Sequence, residues 1–223
     1  MEFDPERLTP AERYKLLIGC IVPRPIAVVS TLSPHGEANL APFSFFAGVG
    51  SDPMALLFCP ANRADGGEKD TLANAKPADE GGTGEFVVNV ATEAIATRVA
   101  GAAEPLPYGR SEFELVGLTP VPARVVRPPR VLESPACFEC RTLRVVRLNP
   151  GVPTGGNVVV GRVVHVHVRD DAINERLHID ADRLAAFGRM GGSWYCTTRE
   201  RFEMPMGAGA LALDPASILP PRA

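Results

Sequence analysis

The chain has 223 residues, 45% of them hydrophobic and 22% charged, with a formal net charge of −3. That length sustains one well-buried domain, and the acidic balance excludes the basic field that non-specific nucleic-acid binding needs. No apolar run approaches the length that spans a bilayer, and the opening MEFDPERLTP lacks the basic-then-apolar layout of a signal peptide, so the sequence reads as cytoplasmic with no membrane partner.

Thr9-Pro10-Ala11-Glu12 predicts a helix start. Threonine caps, proline takes the first helical position, and glutamate three residues on completes a capping box. The helix runs to about Ile18, with Gly19 as its stop. Pro23-Arg24-Pro25 is a stiff entry to the first strand, and Arg24 is either an anion contact or a surface arginine. Ile26 to Leu32 reads as a strand, Ser33-Pro34-His35-Gly36 as a turn, and Ala38 to Phe46 as a second strand. Pro42 has no backbone donor, which places it at an edge or bulge where the backbone can face a ligand. Around it gather Ser30, Thr31, Asn39 and Ser44 with Phe43, Phe45 and Phe46. Polar anchors beside a flat apolar wall suit a ligand with an anionic tail and a planar head.

Gly48-Val49-Gly50 looks like the start of a dinucleotide-binding fingerprint, but no helix follows it. Ser51-Asp52-Pro53 is a turn and Met54 to Cys59 another strand. The polar loop from Pro60 ends in Lys69-Asp70-Thr71 and the short helical run LANA, capped by Asp70 or Thr71. Unpaired amides there, with Arg63 and Lys69 beside them, suit a phosphate monoester; solvated loop charges are the other reading. Residues 76–84 form a Pro/Gly-rich surface loop. Glu85 to Val90 is the next strand, with Asn89 placed to tie neighbouring backbone or to meet a ligand.

Thr92 to about Ala103 reads as a helix whose small residues pack closely against the domain or a second subunit. The proline-rich stretch from Glu104 to Arg130 is long for a connection without a function; it wraps the domain or reaches toward a partner subunit. Ala136 to Leu148 and Asn157 to Val168 are long strands joined by turn residues. Cys137 and Cys140, three apart on a strand, point to opposite faces, which argues against a redox or zinc pair. His165 and His167 share one face, expected to be a polar outer face, and no metal site is expected. Gly188 to Tyr195, GRMGGSWY, is either a flap over a planar ligand or a structural turn. The tail from Gly207 is expected to pack loosely. With no G-x-S-x-G elbow, P-loop, H-E-x-x-H or zinc quartet in the sequence, a cofactor that carries its own chemistry fits best. Many short strands with few helices predict a mainly β barrel with peripheral α-helices.

PRPIAVVST (23–31), ANLAPFSFF (38–46), SDP (51–53), KDT (69–71) and EFVVN (85–89) stand in a telling order and spacing. Over about residues 8 to 205 the chain resembles the flavin reductase-like family, FMN-binding split barrels that include flavoredoxin and the reductase components of two-component monooxygenases. The resemblance implies a split β-barrel, expected as a single domain over 1–206 with a tail over 207–223. It implies a homodimer with flavin near the subunit interface, FMN as cofactor, and NADH or NADPH as co-substrate. Hydride would pass from nicotinamide C4 to flavin N5, with no side chain acting as a nucleophile. Phosphate and ribityl contacts would fall on Thr31, Ser44, Lys69 and Thr71, and the ring system on Asn39, Ala41, Pro42, Phe43 and Phe45. Ser30, Arg63 and Asp70 complete the expected cofactor set, and Arg189 and Tyr195 fall on the nicotinamide side. The implied activity is a flavin reductase supplying a partner monooxygenase. The alternatives are a flavoredoxin-like electron carrier served by a redox protein, or a barrel that has lost its flavin.

Overall fold

Short apolar runs separated by turn residues recur along the chain, and the computed structural model, which describes residues 1–214 and 218, turns them into strands. They are β1 (Arg24–Pro25), β2 (Ala27–Leu32), β3 (Ala38–Phe43), β4 (Phe46–Ser51), β5 (Met54–Phe58), β6 (Glu85–Val90), β7 (Pro120–Val121), β8 (Arg130–Val131), β9 (Ala136–Arg147), β10 (Asn157–Val168), β11 (Phe187–Arg189) and β12 (Tyr195–Thr197). Around them lie α1 (Pro10–Cys20), α2 (Asp70–Ala75), α3 (Ala96–Gly101), α4 (Glu112–Val116), α5 (Ala181–Leu184) and α6 (Ala208–Leu211). Seven strands form one antiparallel sheet in the order β3-β2-β6-β9-β10-β5-β4.

The connection between the two edges of that sheet decides its shape. Laid flat, seven strands at about 4.8 Å spacing would put β3 and β4 roughly 29 Å apart. Only Ser44 and Phe45 join them, and three Cα steps reach about 11 Å at most. The sheet therefore curls until its edges meet at this point. The enclosed face carries Val29, Phe43, Phe58, Phe86, Val88, Cys140 and Val159, with Leu72 and Ala75 of α2 packed into the same cluster. Phe58 stands against both Phe43 and Phe86, at ring separations of 5.1 Å and 5.2 Å.

The outer face bears a second apolar cluster, in which Ile26, Val28 and Leu40 meet Val99 of α3 and Phe113 of α4. The expected helix from Thr92 to Ala103 divides into a 3-10 turn over Glu93–Ile95 and α3. Its small residues serve contact within this chain: a Cβ on Gly101 would lie 3.3 Å from Val116. The 104–130 stretch lies along the outer face. There Ser30 donates to Pro129 O, and Asn89 binds Val28 O at 3.0 Å and the Val131 amide at 2.8 Å. Asn89 is thus a tie between backbones.

Several expectations need correction. The run Ala38 to Phe46 is two strands, broken where the chain crosses between sheet edges. Gly48-Val49-Gly50 lies inside the exposed edge strand β4, with a register shift between Gly48 and Gly50. Neither Asp70 nor Thr71 caps α2; Lys69 holds that position and no side chain caps the helix. Arg24 is neither an anion contact nor a surface group. It is 3% exposed and donates to Ile18 O and Ile21 O at 2.7 Å, Met190 O at 3.0 Å and Ser44 Oγ at 3.2 Å. His165 and His167 do lie on a polar outer face, but that face is half-buried, because residues 122–130 cover it; β10 shifts register between Val163 and His165.

Other readings stand as made. The capping box at Thr9 and Glu12 forms, although the helix continues through Gly19 to Cys20. Cys137 and Cys140 face opposite sides of the sheet, in separate apolar clusters. Burial pushes the Cys137 thiol up to about 11 and the Cys140 thiol further. No helix among the described residues is long and apolar enough to cross a membrane. Of the tail, residues 215–217 and 219–223 lie outside the described residues.

Candidate functional site

Where β3 forms the edge of the sheet, its outward backbone donors are removed or occupied. Pro42 has none, and the Leu40 amide donates to Glu112 Oε2 at 2.8 Å. That arrangement blunts the edge against pairing with another strand and leaves a cleft between β3, the start of α2 and the chain following α3. The cleft encloses about 150 Å³. Asn39, Ala41, Pro42 and Phe43 form one side; Arg63, Lys69, Asp70 and Thr71 form the second; Ala102 to Leu106 and Glu112 close the third.

Its floor is a buried polar network. Asn39 Nδ2 donates to Thr71 Oγ1 at 2.9 Å and to Thr31 Oγ1 at 3.2 Å, and Asn74 Nδ2 donates to Thr31 Oγ1 at 3.1 Å. Tyr108 OH reaches Asn74 Oδ1 at 3.3 Å, tying the 104–110 loop to α2. All four floor residues are buried, so the network is rigid and fixes the hydroxyl of Thr71.

The mouth is charged. Arg63 pairs with Asp70 at 3.3 Å. Lys69 is exposed and has no carboxylate partner among the described residues. Its neighbour Glu68 anchors the loop through Lys76 at 2.9 Å and Arg147 at 2.8 Å. Burial pushes the Glu68 carboxyl up, but those two cations outweigh it and hold it below its ordinary value. Glu112 has no cation to offset its burial, so its carboxyl is held above the ordinary range, with Asp70 adding to the effect.

The remaining residues predicted from sequence lie elsewhere. Ser30 is buried on the opposite face of the sheet, against Pro129. Ser44 and Phe45 belong with Arg24 and Tyr14, with the Arg24 guanidinium 5.8 Å from the Phe45 ring centre. Arg189 and Tyr195 sit on the β11–β12 hairpin and engage each other, the guanidinium 4.4 Å from the Tyr195 ring centre and donating to its hydroxyl. Glu112, which lines the cleft, and Asn74 and Tyr108, which brace its floor from behind, are residues that the sequence reading missed. The unusual length of the 104–130 connection was the signal available for Tyr108 and Glu112.

The description "Flavin reductase like domain" matches residues 18–187. The chain belongs to the flavin reductase-like family. An uncharacterised protein of Deinococcus radiodurans is 38% identical over 210 residues, covering 91% of this chain and 88% of the relative. Nitrilotriacetate monooxygenase component B from Bacillus cereus superposes with a TM-score of 0.84 at 33% identity, over 92% of this chain and 98% of that one. A Shewanella frigidimarina protein with a split barrel domain gives a TM-score of 0.77 at 22% identity, over 93% of this chain and 100% of that one. The curled sheet closed at Ser44-Phe45 is thus a split barrel.

Membership in this family implies a flavin cofactor. The cleft fits one end of such a molecule. An unpaired lysine beside a fixed hydroxyl suits a phosphate, and the amide and hydroxyl floor suits a polyol. At about 150 Å³ the cleft is well below the roughly 300–1,000 Å³ of whole small-molecule sites, so a planar head needs a further wall.

Proposed function

We propose that this protein is an FMN-binding NAD(P)H:flavin oxidoreductase that delivers reduced flavin to a partner monooxygenase. The observation that carries the reading is Lys69. It stands without a carboxylate partner among the described residues, at the mouth of a cleft whose floor is the buried Thr31, Asn39, Thr71 and Asn74 network. Lys69 and Thr71 would hold the phosphate, Asn39 the polyol, and Pro42 and Phe43 the beginning of the ring system. A second copy of the chain would supply the missing wall, giving a homodimer.

The redox chemistry would be that of the bound flavin, which accepts hydride from reduced nicotinamide. The protein's own contribution is binding and orientation, which need no nucleophile or general acid. Support for a partner oxygenase comes from the Bacillus cereus protein, whose name makes it one component of a monooxygenase.

An anaerobic visible spectrum with added FMN, before and after NADH or NADPH, tests the reading. Bleaching of the flavin band, with reduced flavin recovered on filtration, is the expected outcome. Bound flavin that both nicotinamides leave oxidised would replace it with a flavoredoxin-like carrier, and no bound flavin would overturn it. Lys69→Ala should weaken FMN binding about ten- to hundredfold, the value of one charge-assisted bond.

A further inference from the structure

On the outer face of the barrel, across the sheet from the cleft, residues 122–130 roof a second cavity of about 430 Å³ over β9 and β10. Its charged and polar lining is Arg124, Arg130, Glu139, His165 and His167. Glu139, only 1% exposed, is already committed: Oε1 accepts from the Arg124 amide at 2.8 Å, and Oε2 from the Val125 and Val126 amides at 2.6 Å and 3.2 Å. Three amide donors satisfy that carboxylate without help from a side chain.

Two other groups have capacity to spare. His165 Nδ1 is buried, lies 3.5 Å from Glu139 Oε1 and makes no hydrogen bond. Arg130 is half-buried, meets the Cys137 thiol and has no carboxylate partner among the described residues. The buried ring nitrogen loses the hydrogen bonding it had in water, and a guanidinium with five donors has more to give than one thiol accepts. Both face one space, so one ligand can answer both. Guanidinium groups offer only donors, in a fork that matches a carboxylate or phosphate edge. A cation would meet two arginines, and no three His, Cys, Asp or Glu side chains among the described residues gather as metal ligands.

We propose that this outer cavity binds a small molecule through its carboxylate or phosphate group, held by Arg130 and His165 with Arg124 and His167 alongside. The volume matches a metabolite-sized ligand, since such sites enclose roughly 300–1,000 Å³. The sheet separates this cavity from the cleft, so its ligand is independent of any flavin.

The test follows the histidine imidazole NMR signals of the full chain. Sodium phosphate and sodium citrate are titrated separately at constant ionic strength against chloride. Saturable shifts of His165 and His167 are expected with at least one anion, and the anion that saturates at lower concentration tells a phosphate site from a carboxylate site. Arg130→Gln should weaken that binding roughly ten- to hundredfold, Arg130→Lys should recover part of it, and Lys69→Ala should leave it unchanged. Should Arg130→Gln fail to fold, Arg124→Gln takes its place, with a smaller loss expected. No saturable response to either anion would overturn the proposal, as would a response that survives the arginine variants. A one-to-one Zn²⁺ complex abolished by His165→Gln, with both anions inert, would overturn it in favour of a metal site.

Discussion

Gly161 on β10 lies where an added Cβ would come within 2.3 Å of Phe86 Cζ inside the barrel. Gly161→Ala therefore has to push the ring, which is itself packed against Phe58 at 5.2 Å. Overpacking of this kind costs about 1–3 kcal/mol, and the urea midpoint should fall accordingly; an unchanged midpoint would mean that the ring has room to move. Glu112 gives a prediction with a sign. Its carboxyl is held above the ordinary range by burial, so the folded protein binds that proton more tightly than the unfolded chain does. Its contribution to stability is then greatest below the unfolded value, near pH 4, and is lost as pH rises through the raised one. Glu112→Gln keeps an acceptor for the Leu40 amide and removes the titration. Stability of the variant relative to wild type should increase from pH 4 toward neutrality, and parallel urea profiles at every pH would refute the assignment. Single residues differ in how far the sequence discloses them. Thr31, Asn39, Lys69 and Thr71 stand in three short motifs beside a strand edge and a loop, where polar residues are conspicuous. Glu112 sits in the run Glu112-Phe113-Glu114-Leu115-Val116, and its role depends on an amide 72 residues away.

Among the elements, α1 and the β11–β12 hairpin are joined through one side chain. Arg24 binds two carbonyls at the end of α1, the Met190 carbonyl beside β11 and the hydroxyl of Ser44 between β3 and β4. Lysine cannot reproduce that fork, and each charge-assisted bond left unmade in a buried place costs about 1.5–3 kcal/mol. Arg24→Lys should accordingly lower stability by at least about 2 kcal/mol, read as a drop in Tm; retention of the wild-type Tm would show the fork to be dispensable. The same contacts explain why the break after Phe43 was illegible. Ala38 to Phe46 has unbroken strand-like composition, and the interruption is imposed by Arg24, which lies 20 residues from Ser44 in the chain. The α1 start was legible because a capping box is local, with Thr9 and Glu12 three residues apart. The long strand β10 was legible for a similar reason, since valine fills most of it, and β9 from the turn residues that separate it from β10. The edge strand β4 was hidden by Gly48 and Gly50, which carry no strand preference.

At the scale of the whole molecule, the proposed site and the proposed assembly depend on each other. None of the 11 residues of α1 is buried, yet Tyr14, Leu16 and Leu17 are large and apolar. A helix of that length is marginal without a packed face. The β11–β12 hairpin reaches the same region, where a Cβ on Gly191 would lie 3.5 Å from Gly19, and it carries Trp194 at 77% exposure. An exposed apolar surface of this kind marks an interaction site, and a second copy covering it would answer both the exposed helix and the missing wall of the cleft. Short apolar runs between turns made the barrel legible but not this surface, because exposed apolar residues look like core residues in a sequence. Leu17→Glu combined with Trp194→Glu should convert the proposed dimer to a monomer in sedimentation velocity. FMN binding should weaken in the same variant, although neither residue lines the cleft. Lys69→Ala should behave in the opposite way, losing affinity while remaining dimeric. If the double variant is monomeric and still binds FMN as wild type does, the single chain holds the whole flavin and the second copy has no part in the site.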